Sequence, residues 1–427
     1  MSLGLDNKTS TAQLLLNKLS SNSGKNEIIG FEEMGAAIQY LEEKGIPTNK
    51  DEEYKYCNID VVFRKEFKNI ENNFSTINAL PKLDDCINVY MHNGNFNSTE
   101  VHSEKITISD LKTAAVSHKE IIQKHFCKYI NRSLTAATAL NSAFANNGLF
   151  IYVPKSVVSQ KPICIHYLAS NTGEAMIHPR LLIVTEANAE LNFIEKYYGY
   201  ENGKCFATTT QEIIVGDNAK VNHYRVQAEN ANAYSVSSID VQQGADSVYN
   251  CNTFIFGGAL VRNNHHITLN GKNGESHLNG LLIANDSNLI DNHTLIDHAV
   301  ANCNSNELYK GIANDKATAV FNGKIMVRRD AQKTNAYQSS KNILMSDDAT
   351  VNTKPQLEIF ADDVKCSHGT STGKVDEEAL FYLKARGIGD TSARRLLLQA
   401  FAQELIDKIE IESLQEEVLD LFEGSLK

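Results

Sequence analysis

Cys366 and His368 stand two residues apart in the run DDVKCSHGTSTG at 362–373. On an extended strand residues i and i+2 share a face, so this thiol and this imidazole can approach one common atom. A soft thiolate beside an imidazole suits iron or zinc. Two ligands, however, leave a tetrahedral metal half coordinated. Either a second polypeptide completes the site, or the pair is a buried cysteine and a hydrogen-bonded histidine at a strand end before Gly369.

Other chemistry-bearing residues carry weaker signals. His265 and His266 are adjacent, and His293 and His298 are five apart, so neither pair can chelate from one straight strand; with His277 they read as hydrogen-bonded polar histidines. The acidic pairs Asp347-Asp348 and Asp362-Asp363 lie among turn residues, where carboxylates usually serve backbone amides and solvent. Eight cysteines are spread along the chain with no CxxC, the nearest two being Cys57 and Cys86. That pattern fits reduced, separately buried thiols and counts against a four-cysteine zinc or iron–sulfur site built by this chain alone. No GxxxxGK[ST] run exists, and Gly387-Ile-Gly389 lacks the third glycine of a dinucleotide fingerprint, so no nucleotide is expected to bind here by those routes. GxSxG and HExxH are missing too. A formal charge of -11 and the lack of a Lys/Arg cluster argue against nucleic acid. With 42% apolar and 22% charged residues, and only Leu14–Leu16 as an apolar run near the N-terminus, the expectation is a globular cytoplasmic protein without a membrane span.

Three textures must position these residues. Residues 1–148 read as a mostly helical N-terminal region. Phe31, Met34, Ile38 and Leu41 recur at helical spacing up to Lys44-Gly45-Ile46-Pro47; further helices are expected over 110–130 and over 134–145, the latter starting after Ser133. Residues 149–373 switch to short β-branched and aromatic runs separated by turns. EANAEL, GDNAKV, GADSV, NGESHL and DDATV share a turn, a small residue, a variable position and an apolar one, with Ala189 and Ala219 in corresponding places. Such a quasi-period without intervening helices is what a solenoid of stacked β-coils leaves in a sequence, although a β-sandwich would give similar short strands. From 374 to 427 helical spacing returns. Asp376 caps a helix ending at Gly387, a second starts at Thr391 or Ser392, and Ser413-Leu-Gln-Glu416 has the pattern of a capping box.

The run QLEIFADDVKCSHGTSTGKVDEEALFYLKARGI at 356–388 resembles the SufD-type chains of the SufB/SufD family, which belongs to the SUF iron–sulfur cluster assembly system. KGIPTNKDEEYKYCNID at 44–60, GLFIYVPKSVVSQKPICIHYL with PRLLIVTEANAELNFIEKYY at 148–198, and RRDAQKTNAYQSSKNILMSDDATVNTKPQLEI at 328–359 extend the similarity from about 30 to 410. The family commonly has Trp where Tyr54 stands, and this chain has no tryptophan at all.

The resemblance implies a mainly β fold, a right-handed parallel β-helix flanked by helical N- and C-terminal regions. It also implies a non-catalytic scaffold that pairs with a SufB-type subunit and binds a SufC-type ATPase through its C-terminal helical region; a homodimer is possible for the isolated chain. Carried onto this sequence, His368 and the neighbouring Cys366 lie where a transient iron–sulfur cluster forms at the subunit interface, with His368 the shared metal ligand. Phe381, Tyr382, Leu383, Arg386 and Gly387 fall in the ATPase-binding segment, the alternative being that they are internal core. Two other readings stay open: a carbohydrate-active β-helix enzyme, and a purely structural partner with no ligand of its own.

Overall fold

A computed structural model describes residues 31–65, 67–69, 81–97, 105–130, 135–145, 147–169, 174–198 and 204–426. From Arg180 to Gly373 the backbone alternates between two sheets, so that every second strand is a neighbour in space and pairs in parallel. The outcome is a parallel β-solenoid. The first sheet ends at Thr350–Ile359 and the second at Val364–Gly373.

The turns explain why the chain coils. Asn188, Asn218, Asp246, Asn273, Asp286, Asn302 and Asp315 all adopt positive φ, a conformation that Asn and Asp tolerate better than other residues with a Cβ. After the first three of these come Ala189, Ala219 and Ser247, small side chains buried inside the coil. Asparagines on the outer face record the rung length: the Asn222 amide donates to Asn192 across 30 residues, and the Asn250 amide donates to Asn222 across 28. The period noticed at Ala189 and Ala219 is therefore one turn of the solenoid.

Alternate side chains point inward, as strand geometry requires. Most are apolar, including Phe193, Ile213, Ile239, Leu278 and Ile296. Charge is nonetheless carried inside. Glu195 accepts hydrogen bonds from His223 at 2.7 Å and Arg225 at 3.0 Å, and further ones from Tyr167 and Gln211, both at 2.6 Å. Burial alone would raise its pKa, but the His223 and Arg225 partners bring it down to about 2.

Helices cover both outer faces. The helix Phe31–Lys44 ends as expected at Gly45, whose φ is +65°. A segment beyond it lays Tyr54 on the first sheet, its ring 4.1 Å from the guanidinium of Arg262, which also donates to Asp291 at 2.6 Å. Tyr54 thus has a packing role. On the second sheet, Asp390–Ile406 and Glu412–Ser425 pack Leu398, Leu405, Val418 and Phe422 against Ile194, Leu281 and Ile312. The ion pairs Lys196–Glu417 at 2.5 Å and Lys310–Glu404 at 2.7 Å fasten them.

Several local expectations need correction. The segment before 149 is not simply helical: Ile87–His92 joins the second sheet in parallel with Ile163–Leu168, and Thr107–Asp110 pairs antiparallel with Leu149–Val153. The helix expected over 110–130 is two, Leu111–Ser117 and Lys119–His125, because His118 leaves helical geometry. The helix expected after Ser133 is capped by Thr135, which forms a capping box with Thr138. Ser413 caps nothing: Ile411 holds the N-cap position, and the Ser413 hydroxyl donates instead to the Asp84 carbonyl.

Candidate functional site

Val364–Gly373 is the last strand of its sheet, and among the described residues its only neighbour is Thr334–Leu344. Register decides which of its side chains point inward. Cys366 pairs with Ala336 and His368 with Gln338, and both partners are buried interior residues. Cys366 and His368 therefore belong to the inward-facing set. Among the described residues no further rung covers them, and Cys366 is half-buried and His368 exposed.

Cys366 packs on an apolar layer that includes Ile325, Ala336 and Leu357. Burial pushes its thiol pKa up, against a hydrogen bond from the Ala336 backbone. The chain supplies no complete metal site at this end: among the described residues, no three His, Cys, Asp or Glu side chains come together as a metal-binding group. His265 is inward and buried, and its neighbour His266 faces Asp240 on the outside at 3.1 Å. His293 contacts Asp291 and Glu53, while His298 is enclosed beside Ser305.

The same inward column continues below His368. Gln338 is in register with Glu307, and its amide donates to Glu307 Oε2 at 2.6 Å. Neither residue stood out in the sequence, because an amide and a carboxylate in a strand look solvent-facing. Counting back one and two rungs from His368 would have found them. A groove of about 850 Å³ also runs along the outer face of the second sheet, beside Ser367 and Gly369, with Asn250, Asn279 and Tyr337 on one wall and Glu404 on the other.

The second predicted cluster lies on a different element. Glu377–Ala385 is capped by Asp376, whose side chain accepts from the Glu378 and Ala379 amides. Its buried residue is Leu380, while Phe381 and Tyr382 are 74% and 57% exposed. The Arg386 guanidinium sits 5.0 Å from the Tyr382 ring. Leu383 is half-buried, its carbonyl accepting from the Arg386 and Ile388 amides, and Gly387 takes the positive φ of +86° that ends the helix. Phe381 and Tyr382 are thus surface groups and not internal core.

Comparison with known proteins matches residues 167–401 to the core-domain model of SufBD proteins of the SUF FeS cluster assembly system, and residues 32–165 to the SufBD N-terminal region. The chain belongs to the SufBD family. It is 31% identical over 392 residues to the iron–sulfur cluster assembly protein SufD of Escherichia coli K12, covering 90% of each chain. It is also 28% identical to SufD of Bacillus subtilis 168, covering 77% of this chain and 76% of that one. The chloroplastic protein ABCI7 of Arabidopsis thaliana is 33% identical over 67% of this chain and 62% of that one. Membership makes this an iron–sulfur cluster assembly protein. In this chain the parallel solenoid ends in a rung that leaves the Cys366 thiol half-buried and the His368 imidazole exposed.

Proposed function

We propose that this chain is a non-catalytic scaffold whose open solenoid end is closed by a SufB-type subunit, with the nascent iron–sulfur cluster held at the seam. One observation carries the reading: Cys366 and His368 point along the interior columns of the solenoid, yet lie uncovered at its last rung. Among the described residues, the final strands of both sheets also present unpaired main-chain edges, a natural template for pairing with another chain. Exposed Phe360, at 62%, and Ile359, at 39%, add apolar surface at the same end. A second copy of this chain could close that end in the absence of the heterologous partner.

The cluster is cargo, and shared ligation suits a cargo. Four thiolates from one chain would hold it too firmly to pass on, whereas an imidazole at a seam can release when the seam opens. His368 is assigned as the neutral ligand or proton carrier and Cys366 as its neighbour on the same face. The SufC-type ATPase is assigned to Phe381, Tyr382, Leu383, Arg386 and Gly387, whose two aromatic rings are exposed. That helix continues directly from the strand carrying His368, separated by residues 374–376, so movement of a docked ATPase would act on the seam.

The test is the His368→Ala chain, purified anaerobically with both partners. Loss of cluster with retention of the complex supports the reading. Normal cluster content in a normal complex refutes it.

A further inference from the structure

We infer that Gln338 and Glu307 are positioning residues for His368, a buried amide and carboxyl stacked beneath the imidazole that fix which ring nitrogen faces the seam. The inference rests on the reading of His368 as a cluster ligand. His368, Gln338 and Glu307 are successive members of one inward column. The Gln338 nitrogen is committed downward, donating to Glu307 Oε2 at 2.6 Å. Its oxygen is then left on the side away from Glu307, and that oxygen has no partner although the residue is only 3% exposed.

A buried carbonyl without a donor has lost its water and gained nothing in return. Such a group calls for a partner, and His368 is the next residue in that direction. A ligating imidazole characteristically donates its second N–H to a carbonyl or carboxylate, which fixes the tautomer and aims the other nitrogen at the metal. Gln338 Oε1 can accept that N–H once the ring is pressed inward by a closing partner.

The opposite sheet is shaped to admit the amide. A Cβ on Gly323 would lie 2.1 Å from Gln338 Nε2, so only glycine leaves the room it occupies. Glu307 is likewise retained at a cost: it is 3% exposed, its Oε1 has no partner, and burial pushes its carboxyl up to about 7 in spite of the Gln338 amide. Apolar residues would fill both positions more cheaply.

The experiment uses the full chain assembled anaerobically with its SufB-type and SufC-type partners and titrated with Fe(II) in the presence of sulfide. Gln338→Leu and Glu307→Leu should leave complex yield and saturating iron unchanged while weakening apparent iron affinity about ten-fold. Glu307→Gln, which still offers an oxygen to the Gln338 amide, should stay within about two-fold of the unaltered chain. Should Gln338→Leu fail to assemble, Gln338→Met fills the space beside Gly323 and must show the same loss. Unchanged affinity in the leucine variants, with His368→Ala still defective, overturns the positioning role and leaves the ligand reading intact. Unchanged affinity in His368→Ala overturns both.

Discussion

His368 stands one rung above Gln338 in parallel register, and among the described residues the strand that carries it has no neighbour on its other side. An interior position is thereby turned into a surface one. The side chain keeps the inward orientation set by strand alternation, but what covers it has to come from another molecule.

The apolar rim of that end should contribute to closure. Phe360→Asp introduces a charge where the ring is 62% exposed, so the isolated chain should unfold within about 0.5 kcal/mol of the parent. Binding to the SufB-type partner, followed by titration calorimetry, should weaken by about 30-fold or more if Phe360 is an anchor. Unaltered affinity would place the interface elsewhere.

Docking of the ATPase is best tested on Phe381 and Tyr382. Removing everything after 374 is a poor experiment, because the helices beyond it cover Leu281 and Ile312 and their loss would uncover the second sheet. Phe381→Asp with Tyr382→Asp leaves that packing alone. The double variant should keep its thermal midpoint and lose capture of the SufC-type ATPase in a pull-down; full capture would remove these residues from the interface.

Two buried carboxyls make stability depend on pH in a defined direction. Burial raises both Glu229 and Glu307 to about 7, whereas the same groups in an unfolded chain titrate near the ordinary glutamate value. Between about pH 4.5 and pH 7 the native state therefore binds more protons than the unfolded one, so stability falls as pH rises through that window and levels off above it. Glu195, brought down to about 2, acts in the opposite sense and only under strongly acid conditions. The Glu229→Gln, Glu307→Gln double variant should be more stable than the parent at pH 8, by roughly 3 kcal/mol per site, and the difference should shrink to about 1 kcal/mol per site at pH 5. Parallel stability curves across this range would contradict the assignment.

The Glu195 cluster makes a sharper demand. Glu195→Leu leaves Arg225 inside the solenoid without its carboxylate, a change worth about 3–5 kcal/mol. Denaturant unfolding should show that loss at constant m-value, and pairing it with Arg225→Met should recover much of it. A loss under about 1 kcal/mol would mean that the buried charge is compensated otherwise.

The solenoid was legible where a residue type is forced by backbone geometry. Asn and Asp at the left-handed turn positions, three of them leading straight into the small buried residues Ala189, Ala219 and Ser247, recur along the coil and betray it. Asp376 and Gly387 bracket their helix for equally local reasons. The strand Ile87–His92 was not legible, since its partner lies about 75 residues further on and nothing in its own composition announces parallel pairing. Ser413 misled because a capping pattern needs the chain to turn at that residue, and here it turns at Ile411. Of the candidate site, spacing gave the shared face of Cys366 and His368. It could not give Gln338 and Glu307, whose relation to His368 exists only through the register of three strands.

Iron and acid-labile sulfide counted per anaerobically purified complex, for His368→Ala beside the unaltered chain, tests the central claim most directly. The account predicts a complex of normal composition whose cluster content falls to background. A normal complex with a normal complement of iron and sulfide would show that the exposed imidazole at the last rung takes no part in assembly.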